Sequence, residues 1–488
     1  MERTNMERTN MAVANNDESP FDLLILGDVV TPDKVLREGY IAIRDDRIVA
    51  VGSGEPPAAK TVERYENSYL FPGLIDAQIH AGSFEGVTGI EDATRAAAAG
   101  GVTVVVDMPF DNPDPVNTVA RLESKIAEVN RLACVDVALY VTLSKEADAA
   151  DAIEGFAKAG AAGIKLSTYE YHPVRFPRFS TAEMYAAFVA AQKVDLPVGF
   201  HNEDQELVDY FTSKQTAAGN NTAAAQLLGR PPICELVADA QILELASGTD
   251  ARCHIVHSSL ARGCDIARHY RDAGNKVTVE SCVHYLVFNN DDVLKHGAFL
   301  KLNPSIRLEE EREALWGSLF KGDIDFISTD HVSWPVERKS NPAFFSNASG
   351  IAGLESLLAL LYTGMAQRGA LDPLLIAKLT AENPARHFGL YPNRGRISSG
   401  ALADVTVFRR EKRSIDPAQM SSKFKFTPYA GMEMDGYVSA TYLRGKKVYE
   451  DGKVIATPGT GCFVRPDAPQ SREVLRPEQV SQAVLTSR

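Results

Sequence analysis

The sequence predicts an α/β fold: a TIM-type (β/α)8 barrel with a small β-sandwich domain built from both chain ends. Three observations predict it. From Leu74 onward, short apolar or β-branched runs alternate with helical stretches, as in a parallel barrel. Before and after that region the chain reads as strands and turns. Its 488 residues are too many for one small domain and suit a barrel with an appendage.

Residues 1–20 are polar, repeat Met-Glu-Arg-Thr-Asn, lack the apolar core of a signal peptide and are expected to form a disordered N-terminal extension. Residues 21–70 hold the first strands: Phe21 to Leu26, Tyr40 to Ile43 and Ile48 to Val51 are apolar or β-branched, with turn residues between them. The barrel is expected over 71–389. Ile90 to Ala99 is an alanine-rich helix stopped by Gly100-Gly101. Val102 to Val106 is an unbroken β-branched run, as a strand buried on both faces should be. Further strands are expected at Val135 to Val141, Gly163 to Leu166, Pro197 to His201, Cys253 to His257, Lys276 to Glu280 and Asp325 to Ser328. After Asn383-Pro384 the pattern returns to strand and turn. Gly395 to Phe408, Val438 to Leu443 and Lys447 to Tyr449 place the rest of the small β domain in 390–460. Residues 461–488 form a tail with few apolar residues. Its Val474-Leu475 and Val480 to Leu485 would gain order by docking on a neighbouring subunit.

Composition narrows the function. Hydrophobic residues make up 45% and charged residues 24%, ordinary for a globular protein. A net charge of −13 argues against nucleic acid and anionic membranes as partners. No apolar run approaches a membrane span. Six scattered cysteines without a C-x-x-C spacing read as free thiols in a reducing cytoplasm.

The residues that carry chemistry stand at the ends of the expected strands: Gln78 and His80, then Lys165, His201, His257 and Asp330. Residues i and i+2 on a strand share a face, so positions 78 and 80 can serve one site. A lone histidine on a strand is more often packed or hydrogen-bonded than ligating, and His254, His269 and His296 are read that way. For the set as a whole, order and strand-end placement change that reading.

The chain resembles the cyclic-amide branch of the amidohydrolases: hydantoinases, dihydropyrimidinases, allantoinases and dihydroorotases. The resemblance rests on Pro72-Gly73-Leu74-Ile75-Asp76, Asp107-Met108-Pro109, Gly163-Ile164-Lys165, His201-Asn202-Glu203, His254-Ile255-Val256-His257, Asn303-Pro304-Ser305-Ile306-Arg307 and Ser328-Thr329-Asp330-His331, in that order, and spans residues 21–460. It implies a hydrolase that opens a cyclic amide with Zn2+. Lys165 would be carbamylated, His80, His201 and His257 would be ligands, and Asp330 both ligand and acid/base. Tyr169 or Tyr171 would hold the oxyanion. Asn303, Gly350 and Gly353 would contact substrate, mostly through the backbone. It also implies a homodimer or homotetramer.

The departure is Gln78, where the family has the first histidine of a His-x-His pair. An amide oxygen is a weaker donor than imidazole, which points to one metal instead of two. Ala81-Gly82, where dihydroorotases place an arginine, counts against dihydroorotase. The alternatives are a non-catalytic, dihydropyrimidinase-like scaffold and a hydrolase of a different amide or imide.

Overall fold

The structure, a computed structural model, describes residues 20–146, 148–467 and Val474. The N-terminal strands are β1 (Phe21–Val30), β2 (Val35–Arg44), β3 (Arg47–Ser53) and β4 (Ala59–Pro72). The barrel strands are β5 (Leu74–Ile79), β6 (Val102–Asp107), β7 (Asp136–Val141), β8 (Gly163–Ser167), β9 (Val198–His201), β10 (Cys253–Ile255), β11 (Val277–Cys282) and β12 (Phe326–Ser328). After them come β13 (Val405–Arg409), β14 (Arg413–Ser414), β15 (Glu433–Met434), β16 (Tyr437–Leu443), β17 (Lys446–Glu450) and β18 (Lys453–Val454).

Strands β5 to β12 form one sheet in chain order, every adjacent pair parallel. Ile79 bridges His331, and the His80 N–H donates to the His331 carbonyl at 2.7 Å, so the sheet closes on itself. Asp76 tightens the same seam. Its carboxylate accepts from the Thr329 hydroxyl at 2.6 Å and the Thr329 N–H at 3.2 Å, tying the first strand to the end of the last.

The second large sheet has the order β18-β17-β16-β13-β4-β1-β2-β3, so both ends of the fold interleave in it. Ile25, Ile41, Ile43, Leu70, Val405, Val407 and Tyr442 make its core. β14 and β15 form a separate two-stranded ribbon. The sequence reading did not identify β4, because Lys60, Glu63, Arg64, Glu66 and Asn67 give its first half no apolar run. Parallel pairing with β1 makes that stretch a strand, and β13 pairs with the second half, Ser68 to Pro72.

The sheet docks on the helix Gly89–Ala99, whose Ala93 and Ala96 to Ala99 are buried. Alanine permits the close approach. The Thr441 hydroxyl donates to the Ala98 carbonyl at 2.8 Å and the Thr406 hydroxyl to the Gly101 carbonyl at 2.6 Å. Gly101 has φ +81°, and a Cβ there would stand 2.3 Å from Thr406 Cγ2. Only glycine meets both demands.

Asp136, at the start of β7, pairs with Arg394 and Arg444, and Arg394 also pairs with Asp404. This ionic node ties the barrel to the sheet at the end away from the strand C-termini. Residues 461–467 run beside β7, with the Val137 N–H donating to the Cys462 carbonyl and the Val464 N–H to the Val137 carbonyl, both at 2.9 Å. The start of the expected tail therefore packs on its own chain. The remainder, including Val480 to Leu485, lies outside the described residues except for Val474, which is buried.

Candidate active site

The strand ends converge on one cavity of about 190 Å3. Gln78, His80, Lys165, His201, His257 and Asp330 all line it, although they come from five strands. Register explains the first contacts: Lys165 of β8 pairs with Gly199 of β9, and Ser167 with His201. His257 and Asp330 each lie two residues beyond a strand end, with φ of +39° and +49°. Non-glycine residues seldom adopt this left-handed conformation, and such strain concentrates at functional positions.

On one side of the floor, His201 Nδ1 and His257 Nε2 are 3.0 Å apart. His201 Nε2 lies 2.9 Å from Glu203 Oε2, and Glu203 also pairs with Arg230. Burial alone would raise the Glu203 pKa, but the Arg230 charge and the His201 hydrogen bond bring it down to about 2. An ionised Glu203 accepts the proton on Nε2, which leaves the Nδ1 lone pair facing His257. Burial holds both imidazoles neutral, with the pKa of His201 below its usual value and that of His257 well below.

Lys165 Nζ is buried and has no hydrogen-bond partner. Burial lowers its pKa to about 8, against the opposing pull of Glu280 and Asp330.

The other side is already hydrogen-bonded. Gln78 Nε2 donates to Asp330 Oδ1 at 2.7 Å, and His80 Nε2 reaches the same oxygen at 3.2 Å. His80 Nδ1 lies 3.1 Å from the Ser83 hydroxyl. Gln78 thus turns its nitrogen to the carboxylate, while its oxygen is buried without a partner. Asp330 stays ionised: burial raises its pKa, but the His80 hydrogen bond and charge take it below the usual value.

Among the described residues, no three His, Cys, Asp or Glu side chains form a ready-made metal cluster. The donor set at His201 and His257 reaches three only when Lys165 is counted. That side nevertheless fits a cation. Two nitrogens bound tetrahedrally to zinc at about 2.0–2.1 Å stand roughly 3.3 Å apart. The two imidazole nitrogens are near that spacing, one has its tautomer set by a carboxylate, and an unpartnered lysine nitrogen lines the same cavity.

The walls are aromatic and cationic. Phe110 and Phe176 pack with centroids 3.9 Å apart, and Phe176 meets the His201 ring edge-on. Trp334, Arg175 and Arg338 complete the rim. Tyr171 lines the cavity and is 49% exposed. Tyr169 does not line it; its ring lies under Arg230, 4.6 Å from the guanidinium carbon. Asn303 and Gly350 line the cavity, whereas Gly353 sits behind it, its N–H donating to His331 Nδ1 at 3.1 Å. His254 is packed and hydrogen-bonded to Glu280 and Thr278, and His269 is exposed on a helix.

The sequence reading singled out no role for Glu203, Arg175, Phe110 or Phe176. Glu203 was legible in principle, since it follows His201 by two residues and so shares its side of the chain. The aromatic residues come from separate loops and carried no signal.

A family model for the amidohydrolase family matches residues 69–448. The chain belongs to the amidohydrolase family. Members of this family are generally metal-dependent. An allantoinase from Deinococcus radiodurans is 35% identical over 458 residues, covering 91% of this chain and 99% of the relative. A dihydroorotase from Halalkalibacterium halodurans is 31% identical, covering 88% and 98%. The solved L-hydantoinase (dihydropyrimidinase) from Arthrobacter aurescens superposes with a TM-score of 0.86 at 26% identity, covering 91% and 100%. This amidohydrolase thus has relatives named for different cyclic amides. The described residues include no helix long and apolar enough to cross a membrane.

Proposed function

We propose that this amidohydrolase opens a cyclic amide by metal-assisted hydrolysis of its C–N bond, with an allantoin- or hydantoin-like ring as substrate. The observation that carries the reading is the meeting of Lys165, His201, His257 and Asp330 in one cavity at the barrel mouth. His201 Nδ1, His257 Nε2 and a carbamate on Lys165 would hold a Zn2+ ion. A carbamate forms from a neutral amine, which the lowered pKa of Lys165 makes available near neutral pH. When bound, the ion supplies a Lewis acid that polarises the amide carbonyl and acidifies a water.

The chain's own groups do the rest. Asp330, held ionised and oriented by Gln78 and His80, takes the proton from the attacking water and returns it to the leaving nitrogen. The Tyr171 hydroxyl donates to the developing oxyanion; its place in the cavity favours it over Tyr169. Asn303 and the backbone at Gly350 hold the ring, and Phe110, Phe176 and Trp334 limit water. Gln78 offers its amide nitrogen to Asp330, so one metal per chain is the expected content. A cytoplasmic homodimer or homotetramer completes the reading.

The test is a panel of allantoin, hydantoins, dihydrouracils and cyclic imides given to zinc-loaded protein, with metal counted per chain. Ring opening of at least one member is expected. A metal-loaded protein that opens none overturns the reading and leaves a scaffold or a different amide.

A further inference from the structure

Besides Lys165, two lysines near the cavity are buried yet have no carboxylate within ion-pairing distance among the described residues: Lys301 and Lys339. Lys339 ends the short turn Val336–Lys339 and is 1% exposed. Its Nζ donates to three carbonyls, those of Gly350 at 2.8 Å, Ala348 at 3.0 Å and Lys301 at 3.2 Å. Lys301 Nζ donates to the carbonyls of Asn347 at 2.6 Å and Phe345 at 2.8 Å.

Burial pushes the Lys339 pKa well below its usual value, so keeping a proton on a nitrogen with no carboxylate beside it calls for the three carbonyls that surround it. What it offers is three donors radiating from one point. Here they gather the carbonyls on either side of Ser349, at Ala348 and Gly350, and one from a second segment, at Lys301. The Ser349 carbonyl accepts from Trp334 Nε1 at 2.9 Å, its hydroxyl accepts from Asn303 Nδ2 at 3.2 Å, and the Gly350 N–H donates to the Lys301 carbonyl at 3.0 Å. Gly350 has φ +100°, and a Cβ there would come within 2.2 Å of Val332 Cγ1. Ala348, Ser349, Gly350, Asn303 and Trp334 all line the cavity. The wall that faces the ring in the proposed function is thus built on the Lys339 side-chain nitrogen.

We propose that Lys339 is a positioning residue for substrate: by drawing the carbonyls of Ala348, Gly350 and Lys301 to one point, it sets the Ser349–Gly350 wall of the cavity. It touches neither the reacting atoms nor the candidate metal ligands. The inference rests on the functional reading above for the identity of the ligand, but the clamp itself can be tested without turnover.

The experiment compares Lys339→Met, Lys339→Arg and Lys301→Met in the full chain, reading KM and kcat, hydantoin affinity by calorimetry, and amide hydrogen exchange over residues 340–351. Lys339→Met is expected to raise KM about tenfold with kcat within about threefold, the signature of lost ground-state binding. Exchange at Gly350 should speed up. Lys339→Arg, which keeps charge and donors, should recover most of the KM. Lys301→Met frees only the outer carbonyls and should loosen residues 345–347 with KM within about twofold. If Lys339→Met does not fold, Lys339→Gln takes its place: a raised KM with faster exchange at Gly350 supports the clamp, and wild-type values for both overturn it. Unchanged exchange at Gly350 in Lys339→Met overturns the clamp. Faster exchange with unchanged KM and hydantoin affinity, or equal KM effects at both lysines, overturns the positioning role. Absence of turnover on the whole panel counts against the functional reading instead, and hydantoin affinity then decides the positioning role: a wild type that binds no hydantoin also overturns it.

Discussion

The two sides of the cavity floor contain similar side chains in opposite states. At His201, His257 and Lys165, two imidazole nitrogens face each other at 3.0 Å and the lysine nitrogen has no partner. At Gln78, His80 and Asp330, one carboxylate oxygen takes two donors, at 2.7 and 3.2 Å. On the first side the two imidazoles share one proton between them and the lysine nitrogen is left over. The second has matched its acceptor to donors from within the chain. A single substitution accounts for much of the difference, since an amide can donate through Nε2 as readily as it accepts through Oε1. A ligand set can therefore lose one position to a hydrogen bond while the carboxylate beside it becomes better held.

Five substitutions test that contrast. Asp330→Asn removes the acceptor on the hydrogen-bonded side and should lower kcat by about 1000-fold with the melting temperature little changed. Steady-state kinetics beside a thermal melt check this, and near-normal turnover would move the base to His80. Glu203→Gln acts on the opposite side by releasing the His201 tautomer. Metal affinity should fall by about 10–100-fold. Competition with a chelator measures it; the melt must be followed too, because Arg230 loses its carboxylate.

Tyr171→Phe should lower kcat about tenfold, while Tyr169→Phe stays within about twofold. The reverse order would put the oxyanion donor behind Arg230 and break the assignment. Gln78→His has the smallest expected effect, a rise from about one to about two divalent ions per chain by elemental analysis. Two ions already present in the unmodified protein would show that Gln78 turns its oxygen to a metal, and the contrast between the two sides would collapse.

The barrel was legible because its signals are local. Runs such as Val102 to Val106 bury both faces, Gly100-Gly101 ends a helix, and strand ends carry the polar residues. β4 was not legible, since its charged first half becomes a strand only through parallel pairing with β1, which local sequence does not announce. The choice between Tyr169 and Tyr171 was equally closed to sequence, because both follow Lys165 closely and only the turn of residues 171–176 separates their directions.

By itself the sequence determined the alternation of elements, because residue type and spacing carry that information directly, and its resemblance to the amidohydrolases singled out the candidate donors and the departure at position 78. Tertiary structure alone decided which atom of Gln78 faces Asp330, that Glu203 orients His201, that Gly353 lies behind the cavity and not in it, and that Lys339 gathers three carbonyls. Each depends on side chains and backbone groups brought together from separate strands and loops, so the direction of a hydrogen bond is set by a partner that local sequence does not name.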